Sequence, residues 1–583
     1  MVSIRRMSRL QSVLALVVCG TVTACYPFGA PFGTFTFKSG CTPLAIRPLK
    51  SDEADVNSHA IFVTGEGTPV RPRAEGCARG MDSAEYAHYL GTIIDSIRAD
   101  SARRGRAPKL LIRIHGGLNT LNGALSATSD MTREIEKDSS SGFYPLFVNW
   151  ESGLMSAYGE HMFLLRRGKR SPIADPIGGA FILTADLVSG FVRLPMTSTR
   201  QFFGVSGGWW RNNEPELTGE TGVPSERPVI ASAEQQLVVQ QRKAVDSVQR
   251  TSPSRGRRAG EVEEHGNAIA VSRFSYHRNL AQFAYHNGVA LALSVVPTRF
   301  FKVWGNSKGW NTSFAGSVTK SNRVGTQILQ TLSWIPPKGL GLAVIDGLGS
   351  SAWFSMHRRA SVMMRTADQF DRNGKRVDDY RAPNGALALF LDTLAGFTRR
   401  NPGYRISLVG HSMGAIVATE ILRRNDSLPV DNVVFMASAA TSREVESTVI
   451  PFMERNRRVQ FYNLTLHPLA DKRESHFFRI PPYGSLLEWI DSYFGHTETQ
   501  LDLSSGKYDN LVRTALIYPA DIRGRIHIKA FGYNSGKGCG THDMPFEHGQ
   551  FNDPSVAYWR TSFWHPGQEG CEMSRVRANT ISQ

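Results

Sequence analysis

The pentapeptide GHSMG, residues 410 to 414, brackets a serine with two glycines, the spacing by which acyl-transfer enzymes present a nucleophilic hydroxyl. A second match, GVSGG, surrounds Ser206 at residues 204 to 208. With 54 glycines in 583 residues and serine about as common, roughly 0.4 such matches arise by chance, so only a strand–turn–helix context separates signal from coincidence. Ser206 follows TSTRQFF, which is no β-branched strand, and precedes GGWWRNNEPE, which is no helix. Ser412 follows the strand-like YRISLVG and opens AIVATEILRR, a good helix whose closing arginines suit its negative dipole end. In that setting the glycines let the turn pass close to its neighbours. The serine is held strained, with its hydroxyl at the carboxyl edge of a sheet, where α/β proteins place their ligands. Ser412 is the candidate nucleophile and Ser206 a decoy.

Such a turn needs a sheet around it. AEYAHYLGTIIDSIRADSA carries Tyr86, Leu90, Ile93, Ile94 and Ile97 at helical spacing. KLLIRIHGGLNT then reads as a buried strand running into a glycine loop, ALSATSDMTREIEKD as a polar helix and YPLFVNW as a second strand. Strand, helix and strand in succession predict a parallel sheet. The alternation resumes with the helix GALALFLDTLAGF, and further strands are NVVFMASA, RVQFYNLTL and RIHIKAFG. Between these halves, residues 155 to 384 break the pattern and read as an inserted, mainly helical cap. Its most apolar stretch, residues 177 to 196, holds Asp186 near the centre, and a charge there would cost about 2.5–3.5 kcal/mol in a bilayer, which rejects a membrane span. An amphipathic helix is predicted instead, with Ile177, Phe181, Thr184, Val188 and Phe191 on one face and the basic run RRGKR (166–170) just before it. The plainer expectation buries that face against the cap's own domain; the functional alternative is a lid or interfacial helix. Residues 231 to 265 begin as a polar helix and end as an exposed loop.

These residues together resemble the α/β-hydrolase family, and GHSMG matches its lipases and esterases particularly well. The resemblance covers residues 109–150 and 385–560 and leaves the insertion unexplained. It implies an α/β fold, a mostly parallel sheet with helices on both faces, carrying the cap. His115-Gly116-Gly117 resembles the family's oxyanion motif. By that resemblance the main-chain amide of Met413 and one from Gly117 or Leu118 would stabilise the oxyanion, each by about 2.7–4 kcal/mol, with His115 and Gly116 supporting the loop. The family order is serine, acid, histidine. After the last strand, His548 in HGQF is the expected base, with His542 the alternative; His527 reads as a sheet residue. Asp471, after RVQFYNLTL, is the expected acid, with Glu474, Glu444 and Glu446 as alternatives. HDMPFEH lacks the spacing that puts two imidazoles on one helix face, so no metal is predicted, and the chemistry calls for no cofactor.

The N-terminus bears on location. MVSIRRMSR is a basic n-region, LQSVLALVVCGTV an apolar h-region, and Val22-Thr23-Ala24-Cys25 resembles the bacterial lipobox, in which the cysteine becomes lipidated. Tyr26, rather than Asp, after that cysteine resembles lipoproteins sent to the outer membrane. The expected divisions are a signal peptide (1–24), a tether and irregular segment (25–76), a first core part (77–154), the cap (155–384) and a second core part (385–583). Cleavage would remove three arginines and no acid, lowering the formal charge from +16 to +13. Beyond Cys19 in the signal and Cys25 under lipid, Cys41, Cys77, Cys539 and Cys571 form an even set for two disulfides, with local pairing expected. Export and the lack of any nucleic-acid-binding signature argue against nucleic acid, so the basic surplus is directed at phospholipid or an acidic envelope polymer. The expected function is hydrolysis of lipid or lipophilic esters at the envelope, facing the periplasm or cell surface. The other classes are an acyltransferase or polymer esterase using the same triad, and a non-catalytic scaffold.

Overall fold

A computed structural model describes residues 46–53, 55–138, 141–163, 179, 181–193, 311–314, 336–365, 385–466, 470–471, 474, 485–497, 500–508, 510, 518–531 and 545–564. Cys25, Cys41, Cys539, Cys571, Ser206, His542, the basic run 166–170, Ile177 and the segment 231–265 lie outside the described residues.

The strands are β1 (Ala60–Val63), β2 (Pro69–Arg71), β3 (Arg79–Gly80), β4 (Lys109–Ile114), β5 (Phe143–Trp150), β6 (Asn311–Phe314), β7 (Arg405–His411), β8 (Val430–Met436), β9 (Gln460–Leu466) and β10 (Ile526–Phe531). They form one ten-stranded sheet in the order β3-β2-β1-β5-β4-β7-β8-β9-β10-β6. Pairing is antiparallel only at β1–β2 and β2–β3 and parallel everywhere else. Every residue of β5 is buried, as are Leu110–Ile114 of β4. A parallel strand is covered on both faces, so it reads as a continuous apolar run with no alternation.

Among the helices are α1 (Ser83–Arg104), α2 (Leu121–Lys137), α3 (Leu154–Phe163), α4 (Pro336–Met363), α5 (Ala386–Arg400), α6 (Gly414–Arg424) and α7 (Ile450–Arg455). Helix α1 starts at a capping box between Asp82 and Glu85 and stops at Gly105, which takes the left-handed conformation (φ 64°). The five apolar positions expected at helical spacing are all buried there. Helix α6, directly after the GHSMG turn, is buried from Gly414 through Leu422.

Three sequence expectations change. Part of segment 25–76, expected to be irregular, belongs to the sheet: β1 pairs with β5, and Ile46, Val56 and the whole of β1 are core residues. A four-residue strand between polar turns is too short for its own pattern to reveal it. Part of the expected insertion also packs on the core of the sheet. Trp353, Met356, Ala360 and Met363 of α4 join the same core as the sheet, and Gly385 N–H donates to the Arg365 carbonyl (2.6 Å). Finally, the helix over residues 181–193 does not bury its apolar face. Phe181 is 71% exposed, Val188 48%, Phe191 38% and Val192 53%, while Asp186 on the inner side is buried. Asp186 accepts from Ser351 Oγ (2.9 Å) and Tyr158 Oη (3.3 Å) and lies 3.0 Å from His161 Nε2. Arg193 bonds Asp346 of α4 at 3.2 Å. Saturated hydrogen bonds make the polar side the cheaper one to bury.

Among the described residues no helix is long and apolar enough to cross a membrane. Cys77 is disulfide-bonded, and its partner lies outside the described residues.

Candidate active site

Four loops carrying the expected chemistry leave the carboxyl ends of parallel strands of the sheet. The HGG loop follows β4, the GHSMG turn β7, the Asp471/Glu474 segment β9 and the His548 segment β10. Parallel pairing sends all four to one edge of the sheet.

Ser412 is held at φ 51°, a conformation that costs a residue with a Cβ on the order of 1–3 kcal/mol. Its N–H donates to the Met436 carbonyl (2.9 Å) and its carbonyl accepts from Ala439 N–H (3.0 Å), so the end of β8 clamps the turn from both sides. The flanking glycines are needed for close approach. A Cβ on Gly410 would sit 2.8 Å from the main chain of Ala415, and one on Gly414 only 2.3 Å from the Ile114 carbonyl oxygen. Gly414→Ala is therefore expected to destabilise the fold by about 1–3 kcal/mol and to displace the turn, read as a lower melting temperature and slower fluorophosphonate labelling. The Ser412 side chain is buried, and its hydroxyl has no hydrogen-bond partner among the described residues.

The HGG loop lies directly on this turn. A Cβ on Gly116 would meet Ser412 Cβ at 2.9 Å, and one on Gly117 the Met413 sulfur at 2.8 Å. Its carbonyls are turned away by side chains: Asn119 Nδ2 donates to Gly116 O (3.1 Å) and Gly117 O (3.3 Å), and Ser152 Oγ donates to Gly116 O (3.1 Å). The amides of Gly117 and Met413 find no acceptor among the described residues. Leu118 corrects the sequence reading. Its amide donates to the Ser152 carbonyl (2.9 Å) and is therefore spent, and its side chain is 43% exposed. His115 accepts from Trp150 N–H at Nε2 (3.0 Å), and its Nδ1 lies 2.7 Å from the Gly116 carbonyl, to which it donates. Burial lowers its pKa to about 4. It is a neutral brace between β5 and the loop.

His548 is buried in a short 3-10 helix, His548–Asn552. Its main chain is held at both ends: the N–H donates to Glu474 Oε2 (2.9 Å), and the carbonyl lies 3.1 Å from His411 Nε2. Because Ser412 Oγ is unpartnered, no serine–histidine hydrogen bond is formed in this state, which is common without substrate. Asp471, the expected acid, is buried. It lies 3.9 Å from Lys507 Nζ, and no hydrogen bond joins it to His548. Burial, partly offset by Lys507 and by Ser485, pushes its carboxyl up to about 6. Lys507 is chiefly engaged with Glu488. Asp491, which the sequence reading did not single out, accepts from Ser504 N–H (2.8 Å) and Asn510 Nδ2 (2.9 Å) and is pushed up to about 7 by burial. Glu444 closes a capping box with Thr441. His527 stacks on Tyr462 within the sheet, as expected of a sheet residue.

Sequence reasoning missed the polar residues behind His548. His411, inside GHSMG itself, has its ring 5.1 Å from that of His548, and its Nδ1 lies 2.9 Å from Asn552 Nδ2. Asn552 Oδ1 in turn accepts from Arg113, whose guanidinium covers the Tyr558 ring at 4.7 Å. The only available signal was position: His411 precedes the candidate nucleophile, and Asn552 follows His548 by four residues.

Compared with known proteins, an alpha/beta hydrolase family model matches residues 353–449, from within α4 to the segment after β8. That match starts inside the expected insertion, in agreement with the packing of α4 on the core. No curated protein and no solved structure gives a match.

Proposed function

We propose that this chain, which has an α/β-hydrolase fold, is a serine hydrolase of carboxylic esters. One observation carries the reading: a strained, buried serine with an unpartnered hydroxyl stands against the HGG loop, where the amides of Gly117 and Met413 lack acceptors. Pure structure has no use for that combination, since each orphaned group is a cost.

In the proposed reaction Ser412 Oγ attacks the ester carbonyl while His548 takes its proton. Two main-chain amides, of Met413 and Gly117, hold the oxyanion. His548 then protonates the departing alkoxide, leaving an acyl-serine. Water adds to that acyl group, giving its proton to His548, and the acid leaves as Ser412 recovers its hydrogen. Glu474 takes the role first expected of Asp471. Its contact with the His548 main chain supports a carboxylate stationed to orient the ring and stabilise the imidazolium.

Lipid or lipophilic esters are the proposed substrates, at the bacterial envelope. The exposed face of helix 181–193 supports this, since a row of outward apolar side chains suits a lipid surface. The basic run before it, the signal-like N-terminus and Cys25 as a lipid anchor support the location. The test is labelling with a fluorophosphonate, followed by turnover of p-nitrophenyl esters of increasing chain length, free and in anionic vesicles. Labelling is expected, with long-chain turnover rising in vesicles. A Phe181→Ser, Val188→Ser, Val192→Ser variant is expected to lose that rise while keeping short-ester turnover. Absence of labelling in the folded protein, with detergent or lipid present, would refute the hydrolase reading.

A further inference from the structure

Arg113, the half-buried Asn552, His411 and the carbonyl of the candidate base form a hydrogen-bonded chain with one direction. Arg113 can only donate, so the atom of Asn552 that faces it must be the amide oxygen. This settles the orientation of the Asn552 amide, which geometry otherwise leaves ambiguous. The Asn552 nitrogen is then fixed as a donor, 2.9 Å from His411 Nδ1. His411 Nδ1 must be bare to accept, so the ring carries its proton on Nε2. That proton points at the carbonyl oxygen of His548, 3.1 Å away. Each bond leaves its members no alternative polarity.

We infer that Asn552 is a positioning residue, which selects one neutral tautomer of His411 and through it fixes the main chain of His548. This rests on the reading of His548 as the base. The opposite end of the same residue is tied to Glu474, so the backbone of His548 is gripped on both sides. The charged and titratable groups facing His411 are His548, Arg113 and His115, whose charges all disfavour a proton on it, while the bond to the His548 carbonyl works the other way. Burial has the largest effect, also against the proton, holding the His411 pKa well below the ordinary histidine value. A doubly protonated His411 would also set N–H against N–H at Asn552. The ring stays neutral, and no second cation competes with the imidazolium that His548 must become.

Asn552→Asp tests this with almost no change of shape. Arg113 would keep the new carboxylate ionised, and a carboxylate can only accept. His411 Nδ1 must then carry a proton, and because the His548 carbonyl still faces Nε2 the ring is expected to hold both, placing a cation beside His548. In the full chain, histidine-selective 15N spectra are expected to show one wild-type ring that stays neutral and Nε2-protonated from pH 5 to 8; His411→Gln assigns it by removing it. In Asn552→Asp that ring is expected to be doubly protonated at pH 7. The rate of fluorophosphonate labelling should show its acid limb displaced to lower pH by about one unit, because a neighbouring cation weakens the base. Asn552→Leu, with the donor deleted, should slow labelling about 10- to 100-fold through misplacement of the base. A purely structural Asn552 would give superimposable pH profiles and an unaltered His411 ring, and either result overturns the inference. If the wild type takes no label at all, the hydrolase reading fails and the spectra alone decide the tautomer.

Discussion

Ser412→Ala is expected to lower ester turnover by about 10^4- to 10^6-fold, the loss that follows removal of the nucleophile from a serine hydrolase. What survives should come from the two amides alone, since the Gly117 and Met413 N–H groups lack acceptors among the described residues through loop geometry and not through the serine side chain. The fold should survive as well. The hydroxyl forms no hydrogen bond among the described residues, so its removal breaks nothing and relieves a buried polar atom. A melting temperature equal to or above that of the wild type is expected, with circular dichroism unaltered. That pairing of a lost rate with an unchanged or raised stability is the mark of a group kept for chemistry. Turnover within about tenfold of wild type would move the nucleophile elsewhere, with Ser206 the next serine to test.

The elements that could be read from sequence are those whose signal is local. Strands β4, β5 and β7 are continuous apolar runs because parallel strands are covered on both sides, and the helix after Ser412 begins at a glycine that only a close approach requires. The positions of the HGG loop and the GHSMG turn follow from those strands. Contacts between segments distant in sequence were not legible. Nothing local says that the Leu118 amide is consumed by Ser152, 34 residues later, or that Arg113 reaches Asn552. Helix 181–193 misled for a different reason. Apolar periodicity marks a face but does not say which way it turns, and here the bonds of Asp186 and Arg193 hold the polar side inward. The choice of acid was not legible either: Asp471 and Glu474 are one helical turn apart in sequence, so only the packing of their segment could separate them.

That pair yields the sharpest contrast between two variants. Glu474→Gln is expected to reduce turnover about 10^4-fold, as when the acid of a triad loses its charge and the histidine tautomer is no longer held. Gln can still accept from His548 N–H, so the main-chain contact survives and the loss reports on the charge. Asp471→Asn is expected to stay within about tenfold, because no bond links Asp471 to His548. Its effect should appear in stability and depend on pH. The folded carboxyl titrates near 6, above its ordinary 3.8, so the folded state binds its proton more tightly than the unfolded state does. The associated stability is complete below about pH 4 and is lost as pH rises through 6. Asn cannot lose that proton. The melting temperature of Asp471→Asn should therefore gain on wild type between pH 4 and 7, less whatever the weakened hold on Lys507 costs. Glu488 limits that cost, since it binds the same ammonium more closely than Asp471 does. If Asp471→Asn instead matched Ser412→Ala in turnover while Glu474→Gln stayed active, the acid would be Asp471. The segment after β9 would then have to turn by about one residue's reach when substrate binds, a rearrangement that a crystal of the phosphonylated enzyme would display.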